Sequence, residues 1–219
     1  MTMFIRKAII ALSGLFLCLF LVVHLSVNCI LLLPEDTARG MYNAYSTWLR
    51  ENPLIKLVAY VLYLALLAHI IYSVVIVVRN YRAKPVKYAM NRTQENSTWT
   101  SQNMGLLGLL VLIFLVVHLA NFWSPIKLGL GGELAKDELG NLDVYQVAYT
   151  LFQNIYYVGF YTLLVVPLGF HLHHGLKSAF KTLGFYHRRG LRILAKVSLA
   201  YAACISVGFG LIPIVVYFK

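Results

Sequence analysis

Seven histidines are spread along this chain, and four of them fall well inside four different apolar runs: His24, His69, His118 and His171. An ionisable side chain at membrane depth is expensive, so each of the four is a functional-site candidate by position alone. Imidazole is both a metal ligand and a hydrogen-bonding group. Two of the four lie in a repeated hexapeptide, because residues 20–25 and residues 114–119 both read FLVVHL. In each copy a glycine precedes the histidine by ten residues, Gly14 before His24 and Gly108 before His118.

Depth sorts the four into two layers. With a helical rise of about 1.5 Å per residue, His24 lies 17 residues past Lys7, about 25 Å in, and His118 lies 15 past Asn103, about 22 Å in. On the same scale, His69 is ten residues before Arg79, about 15 Å from that edge, and His171 is six before Lys177, about 9 Å. Two imidazoles at one depth on two helices suit a six-coordinate haem iron, whose porphyrin supplies the other four nitrogens. The expected pairs are His24 with His118 at an outer haem b, and His69 with His171 at an inner one. Small residues one turn away, Ala65 and Ser73 around His69 and Gly175 after His171, leave a flat macrocycle room to approach. No CxxCH attachment site exists, so such haems are held non-covalently. Zinc fits less well, because closed zinc sites usually draw on cysteine or carboxylate and no acid lies within a span. The plainer reading is that these histidines hydrogen-bond neighbouring helices.

The fourth run adds His173 and His174. His174 is three residues past His171 and shares its face, which makes it an alternative ligand or a contact for a haem propionate. Lys177 and Arg79, with Ser178 and Tyr72, are candidate propionate contacts at the inner haem; Asn121 and Trp123 are candidates at the outer one. Interfacial anchoring explains the same residues more plainly. His187 falls in a loop.

The elements that position these side chains follow from composition. Of 219 residues, 60% are hydrophobic and 12% charged, against about 25% charged in a soluble domain. Five runs reach the roughly 20 residues a bilayer requires: about 8–33, 53–78, 104–124, 147–176 and 193–218. The expected fold is an all-α integral membrane protein of one domain, whose first four transmembrane helices form a haem-binding bundle. The first run is too long for a signal-peptide core and reads as a retained span. The fourth is long enough to begin as an interfacial segment, and Pro167 should kink it. The three cysteines, Cys18, Cys29 and Cys204, all sit in apolar runs without metal-like spacing.

The net charge of +11 is a topology signal, which argues against nucleic acid. Residues 1–7, 79–103 and 177–196 carry thirteen of the nineteen Lys and Arg, while seven of the eight acids fall on the other side. The N-terminus is therefore expected in the cytoplasm and the C-terminus outside. The absence of intramembrane carboxylates speaks against a proton pump or proton-coupled transporter and for electron transfer.

Taken together, GLFLCLFLVVHLSVN, LALLAHII followed by RNYRAKP, STWTSQNMGLLG, FLVVHLANFW and FHLHHGLKSAFKTLG give the chain a family likeness over roughly residues 8–185. It resembles the membrane cytochrome b subunit of succinate:quinone oxidoreductases and fumarate reductases, in the single-subunit, five-helix, two-haem form. The resemblance implies axial ligands at His24, His69, His118 and His171. It implies a flavoprotein subunit with FAD and an iron–sulfur subunit docked on the cytoplasmic side, in a bacterial cytoplasmic membrane, and it allows a dimer of the whole complex. Electrons would pass between succinate or fumarate chemistry in those partners and a quinone, menaquinone by expectation, through two haems b. The chain departs from some fumarate-reducing members at Gly169, where they carry a glutamate used for proton movement. A cytochrome b subunit of a membrane hydrogenase or formate dehydrogenase is the nearest alternative. A haem-free membrane anchor or transporter is the alternative of another class.

Overall fold

Among the described residues, five apolar stretches are helices long enough to cross a membrane: Met3–Leu32, Pro53–Arg82, Met104–Leu128, Ile155–Thr182 and Arg188–Tyr217. A helix satisfies all its backbone hydrogen bonds internally, which hydrocarbon demands. The structure is a computed structural model that describes residues 2–83 and 98–219. The middle of the basic 79–103 link, with Lys84, Lys87, Arg92 and Glu95, lies outside the described residues. Among the described residues there is no strand, only an isolated antiparallel bridge between Lys136 and Leu142.

Local chemistry sets the helix ends. Helix α1 (Met3–Asn28) starts where the Thr2 side chain accepts from the Ile5 amide, and it tightens into a 3₁₀ turn over Cys29–Leu32. Helix α2 (Glu35–Glu51) is polar on one side, as an interfacial helix must be. Asn52 caps α3 (Pro53–Arg82) by accepting from the Leu54 and Ile55 amides, and Pro53 fills the first turn, where no donor is missed. Thr98 caps the short α4 (Trp99–Gln102). Helix α5 (Met104–His118) widens into a π-helical segment over Leu119–Leu128 that contains Pro125. Gly129 ends it at φ 65°, a left-handed conformation that glycine takes without strain.

The fourth apolar run is two helices. Asp143 caps α6 (Val144–Phe152), and Asn154 caps α7 (Ile155–Thr182). The Asn154 side chain accepts from the Tyr156 amide, which restarts the helix after Gln153. Pro167 lies inside α7. His187 caps α8 (Arg188–Tyr217) through the Gly190 amide.

Helix α7 is the hub. It packs on α1, α5 and α8, and α1 also packs on α3. Val77 of α3 lies against Gly105 of α5. The four helices α1, α3, α5 and α7 thus close a ring in which α1 faces α5 and α3 faces α7 across the centre. Helix α8 lies outside the ring against α7 and α1, close enough that a Cβ at Gly208 would stand 2.7 Å from Leu25. Helix α3 buries no residue, as a lipid-facing helix of a small bundle should not.

At the end opposite α4, a polar latch ties α2 to the turn before α6. Arg39 donates to Asp143, and Asn43 donates to the same carboxylate at 3.0 Å while its own oxygen accepts from the Tyr145 amide at 2.9 Å. Asn43 and Asp143 are almost fully buried. Burial works against the charge on Asp143, but the bonds from Arg39, Asn43 and the Gln146 amide outweigh it and hold the carboxyl below its ordinary pKa.

Candidate paired-histidine centre

The ring of helices brings the four histidines together in two pairs. The imidazoles of His24 (α1) and His118 (α5) have centroids 5.8 Å apart with planes at 88°. Those of His69 (α3) and His171 (α7) are 6.3 Å apart at 70°. Metal–imidazole bonds of about 2.0 Å, with each ring centre about 1 Å further on, put two coordinated rings about 6 Å apart. Both pairs stand at that separation, and both span the ring's diagonals.

The repeated sequence explains the levels. A Cβ added at Gly14 would stand 3.2 Å from Cε1 of His69, and one at Gly108 would stand 3.8 Å from Cε1 of His171. Each copy of the repeat therefore carries a histidine at one level and clears space for a histidine at the other. Ten residues of helix separate the two levels by about 15 Å. The phenylalanine of the hexapeptide has its own role, since residues four apart share a helix face. Phe20 stacks on His24 at 5.1 Å and 18°, and Phe114 stacks on His118 at 5.6 Å and 22°. Phe209, Phe122 and Tyr161 complete an aromatic surround at this level.

Hydrogen bonding separates the four. His69 Nδ1 meets the Ser13 hydroxyl of α1 at 3.3 Å. His24 Nδ1 lies 3.5 Å from Asn28, one turn along its own helix. The Nδ1 atoms of His118 and His171 are buried with no partner among the described residues. Buried imidazoles whose purpose is to hold helices together should have their nitrogens bonded, so that purpose does not account for His118 and His171. No cluster of three or more His, Cys, Asp or Glu side chains able to hold a metal ion occurs among the described residues. A bare ion would therefore find two donors at each level. A macrocycle that brings four nitrogens of its own needs only two, and the donor set fits that group.

The remaining candidates lie near these levels but are engaged differently. His174 Nδ1 is 3.5 Å from Thr100 of α4, and His173 Nδ1 is 3.1 Å from Ser198 of α8. His171, rather than His174, faces His69. Lys177 lies one turn beyond His173, half-buried, and Arg79 is exposed near the end of α3. Asn121 donates to the Tyr161 hydroxyl at 3.2 Å, and Trp123 donates to the Tyr63 hydroxyl at 3.1 Å. Both bonds lie beyond the His24–His118 level, towards α2. At Gly169 the Ser206 Oγ of α8 would stand 2.6 Å from an added Cβ, so a side chain there requires the Ser206 hydroxyl to turn aside.

Three features of the site escaped sequence reasoning: the stacked phenylalanines, the serine at His69 and the clearance at the two glycines. The constant Gly-to-His spacing was the signal for the last. Comparisons of the chain with protein-family models, with curated proteins and with solved structures found no match.

Proposed function

We propose that this chain is a dihaem cytochrome b membrane subunit that carries electrons between a redox complex on one side of the membrane and a quinone in the lipid. The observation that carries this reading is the pairing itself: two histidine pairs across the diagonals of one helix ring, each at the separation of coordinated imidazoles. His24 and His118 would hold one haem b, and His69 and His171 the other. The haems supply reversible one-electron chemistry when bound.

The chain's own residues do the rest. Four helices hold the imidazoles in register, and the aromatic surround of Phe20, Phe114, Phe122 and Phe209 keeps water from the outer level. Gly14 and Gly108 leave the inner pair unobstructed. The basic end, with Arg79, Arg82, Lys177, Lys181 and Arg188, would face the cytoplasm and dock a flavoprotein and an iron–sulfur subunit. The family resemblance makes these the partners of a succinate dehydrogenase or fumarate reductase, with the dicarboxylate chemistry in the partners. At the opposite end a cavity of about 510 Å³ opens between the π-helical segment, the 133–135 loop, α6 and the start of α7. Asn121, Gln146, Thr150 and Tyr157 line it, and Asn121 leads through Tyr161 to the ring of His118. A menaquinone head group has both the apolar body and the carbonyl acceptors such a wall suits.

The test is a dithionite-reduced minus oxidised spectrum, with haem extraction, on the purified chain. Two haems b per chain are expected. A chain purified from haem-replete cells that holds none contradicts the proposal.

A further inference from the structure

The two copies of the repeat differ at one telling position. Ser13 precedes Gly14 in the first copy, and Leu107 precedes Gly108 in the second. Gly14 lies against His69, and Gly108 lies against His171. His69 has a hydroxyl partner for Nδ1 in Ser13, and the Ile10 carbonyl of the same turn also accepts from its ring, whereas His171 Nδ1 is buried with no partner among the described residues. One residue change between the copies therefore makes the two members of the inner pair chemically unequal.

The direction of the Ser13 bond follows from its other contacts. The hydroxyl has a single proton. Its oxygen stands 2.6 Å from the Ile9 carbonyl and 3.2 Å from the Ile10 carbonyl, and neither carbonyl can donate. The proton goes to the carbonyl side, and a lone pair is left for His69. Nδ1 of His69 must then carry the hydrogen, so Nε2 presents its lone pair. Ser13 is buried, 8% exposed, so water does not compete for either role.

We infer that Ser13 is a positioning residue for the inner haem: it fixes His69 in the Nδ1–H form, with Nε2 towards the iron, and strengthens that one ligand of the pair. This rests on the dihaem reading. A hydrogen bond accepted from the distal N–H raises the basicity of a ligating imidazole. A more basic ligand favours ferric over ferrous iron, so Ser13 lowers the inner haem's potential. The outer pair lies a level away and does not feel it.

The experiment is a redox titration of both haems, with low-temperature electron paramagnetic resonance of the oxidised protein, on wild type, Ser13→Ala, Ser13→Thr and Leu107→Ser. Ser13→Ala keeps both haems, raises the midpoint potential of the inner one and shifts only its low-spin signal. Ser13→Thr, which keeps the hydroxyl, restores both readouts. Leu107→Ser offers His171 Nδ1 a hydroxyl and moves the inner potential the opposite way. Two bound haems with unchanged potentials and signals in Ser13→Ala overturn this inference and leave the dihaem reading standing. A wild type without haem overturns the dihaem reading, and this inference with it.

Discussion

An imidazole in the middle of a bilayer needs a partner, and the partners here differ from residue to residue. Phe20 and Phe114 stack on His24 and His118 in the same i, i+4 relation. Aromatic pairs of this kind contribute about 0.5–1.5 kcal/mol beyond their buried area. On the dihaem reading, Phe114→Ala should therefore loosen the outer haem about two- to twelvefold while the inner one stays, which competition with apomyoglobin would read as faster loss of one spectral component. Gly14 offers the converse. Its missing Cβ would stand 3.2 Å from His69, so Gly14→Ile should displace that ring and remove the inner haem alone, giving one haem per chain by extraction. An equal loss of both haems in either variant would mean that the two levels are not independent. The histidines and the FLVVHL repeat were legible in the sequence because ionisable groups stand out in apolar runs. Ser13 was not legible. A serine in an apolar helix ordinarily bonds its own preceding carbonyls, as this one also does, and only the fold puts His69 beside it.

At the scale of the element, side-chain hydrogen bonds rather than apolar packing tie helix α2 to the Asp143 turn. Removing the carboxylate leaves Asn43 buried and short of a partner, a loss of about 2 kcal/mol. Asp143→Ala should lower the thermal midpoint of the detergent-solubilised protein and open the 34–52 segment to protease. The latch also sets a pH dependence. Because the Asp143 carboxyl is held below its ordinary pKa, its contribution is complete above about pH 4 and is lost as pH falls through the folded value. Acid titration of wild type should show increasing protease access to α2 in that range, and Asp143→Asn should show the access at every pH. Five spans could be read directly from apolar runs. The length of the fourth run pointed to a separate first segment, but the place of the division could not be read, because Gln153 and Asn154 are short of a loop signal and the restart depends on one side-chain cap. The π-helical segment was equally hidden. Pro125 marks a helix disturbance in sequence, but its form depends on what packs around it.

Among the described residues, the long helices form a ring of four with a fifth laid against it, and its logic is diagonal. Alternating helix directions put the Gly14 and Gly108 levels beside His69 and His171, and put His24 opposite His118. Depth counting gave this pairing because all four histidines lie on long apolar helices with polar or charged ends to count from. It could not give the diagonal arrangement, which arises from α7 sitting between α1 and α5, or the cavity beside Tyr157, which is built by a loop and two helix ends. If the paired-histidine account is right, ligand loss must be pairwise. The most direct measurement is the haem content and reduced-minus-oxidised spectrum of His24→Ala, His118→Ala, His69→Ala and His171→Ala beside wild type. The account predicts two haems b in wild type, loss of one spectral component in both His24→Ala and His118→Ala, and loss of the other in both His69→Ala and His171→Ala. Full haem content in all four variants, or a wild type with none, would contradict it.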